Sequence, residues 1–385
     1  MESNITEFSF EEGSLYAHLQ KIQDFRKKRG IRYKLPMIML FVILAKLCGE
    51  DTPYGIADWV KNRRDWLFEV LPLNYPGLPD HSTYSRILEA YENEVERVVT
   101  SFLERMSGKK EYQMIVIDGK TMRGTITYDD PFGLHLLTAY APDTGISLKQ
   151  LSVEKEKENE IVVAPKLLEG LQLQDKIVLG DAMQTQRALS SQIVTAEGDY
   201  VWIVKDNQPK TRQAIQLLFA PEKRIPGQGC PPMDFQTAKT VDQGHGRIEE
   251  RTITVSSMLK DYLDWPSVQQ VFKLERRFTY SASGKVHREI QYGITSLGVH
   301  EANPQKMLEL VRSEWGIENR LHYRRDVTFH EDKTRMTCKA FARSMAIINN
   351  LIIALFSNQG FSNHAQARRF FDAKPSHALA LVLRL

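Results

Sequence analysis

Cysteine is scarce: three in 385 residues, Cys48, Cys230 and Cys338, with no CxxC pair and no neighbouring histidine cluster. That spacing argues against a disulfide framework and a structural zinc site, and it suits a reducing compartment. Long apolar runs are missing too. The most apolar stretch, Leu35 to Ala45, falls well short of the ~20 residues that a bilayer-spanning helix needs, and the N-terminus opens acidic rather than basic. The expectation is a cytoplasmic protein with no membrane span and no secretion signal. No internal repeat or low-complexity tract occurs, and the net charge of +3 is too small to name a nucleic-acid partner by itself.

What is present reads as globular throughout. With 42% hydrophobic and 26% charged residues, a chain of 385 has room for two or three folding units. Charge distribution says more than its sum. Arg26, Lys27, Lys28, Arg29, Arg32 and Lys34 form a dense basic run, either a solvated surface or a phosphate-contacting one, whereas Glu154 to Glu160 mixes both signs and nearly cancels.

Residues 1–108 read as helical. Leu40, Ile43, Leu44 and Leu47 recur at helix spacing, as do Ile56, Trp59 and Val60, and Asp80 or Ser82 can cap a helix after the Leu71 to Pro79 break. This pattern fits a DNA-reading unit or a plain helical bundle equally well. From Met114 the signal turns to strands: a buried run before Asp118 ended by Gly119, an antiparallel hairpin of Leu134 to Tyr140 with Leu148 to Val153, and a strand Lys176 to Leu179 ending at Gly180 and Asp181. Helical stretches at Pro165 to Leu171 and Gln184 to Ala196, with a further strand Tyr200 to Val204, complete an α/β unit with a mixed sheet. Gln236 to Ser296, rich in Thr, Val, Ile and alternating charge, reads as a β-rich insertion within about 210–300. Asn303 and Pro304 start a helix whose apolar stripe, Leu308, Val311 and Trp315, continues to Glu318, and the tail adds core helices.

Asp118 and Asp181 each follow a buried strand and stand beside a glycine, where open α/β sheets place their ligand sites. Glu318 belongs to the inward stripe of its helix and needs a partner there, a salt bridge to Arg320 or Arg325 being one solution. Glu314, four residues earlier, borders the same face, so spacing alone allows either glutamate to reach the sheet. Three carboxylates at 4 Å repel by about 4 kcal/mol per pair at an effective dielectric near 20. Divalent metal relieves that repulsion, and oxygen-only donors suit Mg²⁺ or Mn²⁺ rather than zinc. Asp326, Glu331 and Asp332 form a second acidic group, with Asp326 able to pair with Arg324, Arg325 or Arg335.

The segments IVIDGKTMRGT (Ile115 to Thr125), IVLGDAM (Ile177 to Met183), GDYVWIVKDNQP (Gly198 to Pro209), GHGRIEER (Gly244 to Arg251) and WGIENRLHYRRDVTFHED (Trp315 to Asp332) occur in order along the chain. Together they resemble the ISAs1 group of bacterial insertion-sequence transposases, which includes the H-repeat-associated proteins and is related to the IS4-like DDE enzymes. The resemblance implies a helical N-terminal transposase-associated domain over 1–108 and an RNase H-like catalytic domain over 109–385. It also implies Asp118, Asp181 and Glu318 as catalytic and metal-holding residues, two Mg²⁺ ions, cleavage of transposon ends, strand transfer into target DNA, and a homodimer on double-stranded DNA. IS4-like enzymes often carry a Tyr seven and an Arg four residues before the Glu, and a Lys seven after it. Val311, Glu314 and Arg325 stand there in this chain, so only the basic downstream position matches. The WxIEN pattern around Trp315, Ile317 and Asn319 selects Glu318 over Glu314.

Candidate DNA contacts are the N-terminal Arg26, Lys27, Lys28 and Arg29, then Lys120 and Arg123 after the first Asp, and Lys205, Asn207 and Gln208 after the last central strand. His245 and Arg247 on a hairpin tip and Arg325 complete the set. Rival readings from other classes are a DNA-binding protein that keeps the fold without transposition, and a stand-alone metal nuclease.

Overall fold

The computed structural model describes residues 8–29, 31–75, 77–108, 112–154, 159–220, 233–244 and 246–385, without the side chains of Trp315 and Asn319. Six helices come first: α1 (Leu15–Leu19), α2 (Leu35–Leu47), α3 (Pro53–Asn62), α4 (Arg64–Val70), α5 (His81–Ala90) and α6 (Glu92–Ser107). Asp80 caps α5 by accepting the Ser82 N–H, and Thr52 caps α3 ahead of Pro53. Helix α2 is buried on nearly every side, which is why its sequence is a continuous apolar run rather than a stripe.

The central sheet is built from β1 (Met114–Met122), β2 (Leu134–Ala141), β3 (Ile146–Val153), β4 (Ile177–Gly180) and β5 (Asp199–Val204), interleaved with α7 (Glu160–Leu168) and α8 (Arg187–Thr195). Its order is β3-β2-β1-β4-β5. β1, β2 and β3 pair antiparallel, whereas β1 pairs parallel with β4 and β4 with β5. This is the RNase H-like arrangement expected. β1 does not end at Gly119: it runs on to Met122 against β2, and what stops is its pairing with β4, whose last rung is Ile117 opposite Gly180. Asp118 therefore sits at a fork where one neighbour ends and the other continues.

After α9 (Pro209–Leu218) come β6 (Gln236–Gly244), β7 (Arg247–Ser256), β8 (Gln270–Tyr280) and β9 (Val286–Thr295). They extend the central sheet, because β9 pairs antiparallel with β5, giving one nine-stranded sheet. Local alternation marked these residues as strands; their partner, nearly ninety residues earlier, has no local signature. Helix α10 (Pro304–Gly316), capped by Asn303, packs against β4, β6 and β7.

The tail forms α11 (Lys339–Asn358), α12 (His364–Ala373) and α13 (Pro375–Arg384). α11 is long and apolar enough to cross a membrane, but most of that stretch is buried, against α2, α5, α6 and β3. Arg343 on α11 pairs with Glu92 and Glu96 of α6, so the first hundred residues and the tail share one core.

Between α10 and α11 the chain winds as π-helix, Ile317–His322 and Arg324–Thr328, with Tyr323 N–H reaching the Glu318 carbonyl five residues back. Arg325, expected to face DNA, is fully buried here: its Nε donates to Glu331 at 2.7 Å, and Asn349 donates to the other Glu331 oxygen at 3.0 Å. Removing one partner of such a pair strands a buried charge and costs about 3–5 kcal/mol. Arg325→Leu is therefore expected to lower stability in urea unfolding by about 3 kcal/mol while leaving the salt dependence of DNA binding unchanged.

Candidate active site

Asp118, Asp181, Glu314 and Glu318 line one pocket of about 220 Å³, together with Lys205 and Gln291. The Asp118 Oδ1 atom accepts the Gly119 N–H at 2.9 Å, and its Oδ2 lies 3.3 Å from His322 Nδ1. A Cβ at Gly119 would run into the Glu160 carboxylate and the His135 ring, which would have to shift to admit it. Asp181 caps a short 3₁₀ turn and accepts the Met183 N–H at 2.8 Å. Burial pushes its carboxyl above the usual range, and the charges of Asp118 and Glu160 add to that.

Glu314 is shifted furthest. Burial first, then repulsion from Asp181 and Asp118, pushes its carboxyl up to about 8, with Lys205 only partly offsetting them. Glu318, past the change to π winding, is exposed. The donors are oxygen only, and four carboxylates converge beside one lysine, which suits a divalent ion such as Mg²⁺. Among the described residues no three such side chains are drawn close enough to hold an ion as they stand.

The Glu314 shift has a stability consequence. Its folded pKa of about 8 lies above the ordinary 4.5, so its contribution is fully present below pH 4.5 and is lost as pH rises through 8. Glu314→Gln has no such loss. Its stability relative to the unsubstituted protein is expected to rise between pH 5 and 8, by at most about 1.4 kcal/mol per pH unit, and then level off. Unfolding free energies of both proteins at pH 5, 7 and 9 check this, and a constant difference contradicts it.

The other expected site residues are scattered. Lys205 is exposed at the pocket rim. Asn207 and Gln208 instead brace the loop after β4, donating to the Ala182 carbonyl at 2.5 Å and the Thr185 carbonyl at 3.0 Å. Lys120 is buried, 2.6 Å from Asp326 and 3.5 Å from Asp332, which replaces the arginine partners expected for Asp326. Arg123 is exposed, its backbone N–H held by Asp332. Arg26 is pinned by Asp24 at 2.6 Å and by the Tyr33 carbonyl, whereas Lys27, Lys28 and Arg29 are exposed. Arg247 stacks over Phe278 and lines a separate 630 Å³ groove with Arg251, Arg276, Arg312 and Arg320. His245 lies outside the described residues.

Two site residues escaped the sequence reading. Glu160 was absorbed in a run of cancelling charges, yet its carboxylate takes the His135 ring at 2.8 Å and the Gln184 amide at 2.9 Å behind Asp118. His322 stands four residues after Glu318, a helical spacing that was there to be read.

An RNase H-like sheet that places two strand-borne aspartates opposite a glutamate-bearing helix defines the DDE class of DNA-rearranging proteins. Residues 109–355 match the family described as "Transposase DDE domain", and residues 16–103 match "DDE_Tnp_1-associated"; the chain belongs to the DDE transposase family. Similar proteins include "Putative transposase YncI" of Escherichia coli, 27% identical over 84% of this chain and 82% of that protein. "H repeat-associated putative transposase YhhI", also of Escherichia coli, is 25% identical over 89% of this chain and 90% of that protein. Among solved structures, the piggyBac transposase synaptic complex with hairpin DNA aligns at 12% identity and a TM-score of 0.44, covering 98% of this chain and 79% of that one.

Proposed function

We propose that the protein cuts DNA at the ends of an insertion-sequence element and joins the freed 3′-hydroxyl to target DNA, with Asp118, Asp181 and Glu318 as its catalytic carboxylates. The observation that carries this reading is the single pocket shared by all three. Bound there, two Mg²⁺ ions would supply Lewis-acid chemistry to the attacking and leaving oxygens of the phosphodiester. The protein's own part is to hold and orient. Asp118 is fixed at the sheet fork by Gly119 and His322, Asp181 by its turn, and Glu318 is presented toward incoming DNA. Lys205 at the rim meets a backbone phosphate, and two copies of the chain pair two DNA ends.

Lys27, Lys28 and Arg29 are the exposed part of the basic run and contact phosphates outside the pocket. Replacing all three by Ala is expected to reduce the salt-dependence slope of DNA binding by about 2–3 units, near 0.9 per phosphate contact. An unchanged slope returns the run to plain surface.

The experiment for the activity is incubation of purified protein and Mg²⁺ with the DNA flanking its own gene, mapping every product. Cleavage at element ends plus joined products supports transposition. Cleavage without joining supports a stand-alone nuclease, and binding without cleavage a DNA-binding module.

A further inference from the structure

We propose that His322 and Asp326 are positioning residues that fix the register between the strand carrying Asp118 and the helix carrying Glu318. Asp118 and Lys120 are two residues apart on one face of β1, a spacing of roughly 6.7 Å. His322 and Asp326 are four apart along the π-wound segment that follows α10. The side chains meet pairwise: His322 Nδ1 at 3.3 Å from Asp118 Oδ2, and Asp326 Oδ1 at 2.6 Å from Lys120 Nζ.

The order of the groups makes this ladder selective. A slip of one helical turn would bring Asp326 against Asp118, two carboxylates in the wrong register, and would leave Lys120 without its acidic partner on the helix. Lys120 and His322 are each only 8% exposed, while the Asp118 and Asp326 side chains on the other side of each rung are 32% and 34% exposed. Asp332 reinforces the second rung from 3.5 Å while holding the Arg123 N–H. The His322 Nε2 atom is buried with no partner among the described residues, so the contact the imidazole makes is the one through Nδ1.

This inference rests on the reading of Asp118 as a metal-holding carboxylate. A residue that orients such a carboxylate typically changes metal affinity by 10–100-fold when removed. The test is Mn²⁺ binding to the full chain, followed by electron paramagnetic resonance, with DNA cleavage measured at limiting and saturating Mn²⁺. His322→Leu is expected to weaken Mn²⁺ binding by about tenfold or more, with cleavage recovering at saturating Mn²⁺. His322→Asn, whose amide falls where Nδ1 lies, is expected to stay within about threefold of the unsubstituted protein, and His322→Gln, whose amide falls at Nε2, to behave like Leu. Asp326→Asn weakens binding in the same direction. Unchanged Mn²⁺ affinity in folded His322→Leu overturns the proposal, as does equal affinity in the Asn and Gln variants should the Leu variant fail to fold. Asp118→Asn separates the two levels. If it loses binding and cleavage while the His322 variants lose neither, the ladder alone is wrong; if it loses neither, the catalytic reading falls and the ladder with it.

Discussion

Asp118→Asn is expected to reduce DNA cleavage by at least about a thousandfold without unfolding the protein. The carboxylate lies where β1 parts from β4, with the His322 ring at 3.3 Å. An amide of the same shape fits that position, so packing is kept while the charge that would hold a divalent ion is removed. Metal contributes several kcal/mol of transition-state stabilisation, and each 1.36 kcal/mol is tenfold in rate, so a loss of about 4 kcal/mol gives the stated factor. A single-turnover cleavage assay, with thermal unfolding as the control, measures it. Activity within tenfold of the unsubstituted protein removes Asp118 from the chemistry.

The second large effect separates two glutamates. Glu318→Gln is expected to cost at least about a thousandfold at pH 7, and Glu314→Gln far less. Both side chains line the pocket, but their states differ. Glu314 is buried and repelled by both aspartates and, with its carboxyl near 8, mostly holds its proton at neutral pH, so glutamine imitates the form already present. Glu318 is exposed, and glutamine there removes a charge the ions would use. The reverse order, measured on equally stable proteins, assigns the third carboxylate to Glu314. It would also mean that bound metal strips the Glu314 proton, a cost of the few units by which that carboxyl is raised.

How far the sequence could be read follows from the range of each interaction. Strands before Asp118 and Asp181 were legible because a buried strand is a local run of branched apolar residues, and the Asn303 cap because a cap is a matter of four residues. The start of α7 at Glu160 was misplaced toward Pro165, since a proline inside a helix looks like its beginning. The attachment of β9 to β5 was hidden, because strand pairing across the chain leaves no mark on either partner. Ion-pair partners were the least legible of all. Lys120 and Arg325 look alike as basic residues beside acidic motifs, yet one bridges strand to helix and the other is sealed with Glu331; only the tertiary fold distinguishes them. The π winding from Ile317 likewise has no counterpart in residue spacing, and it is what separates the environments of Glu314 and Glu318.

The central claim, that Asp118 holds the ion at the reacting phosphate, is tested most directly by changing the ion's preferred donor. Asp118→Cys replaces a hard oxygen by a softer thiolate, which Mn²⁺ tolerates far better than Mg²⁺. Cleavage of the element-end DNA by this variant should be lost in Mg²⁺ and regained in part in Mn²⁺, while the unsubstituted protein works in both. Equal cleavage by the two proteins in Mg²⁺ would contradict the account.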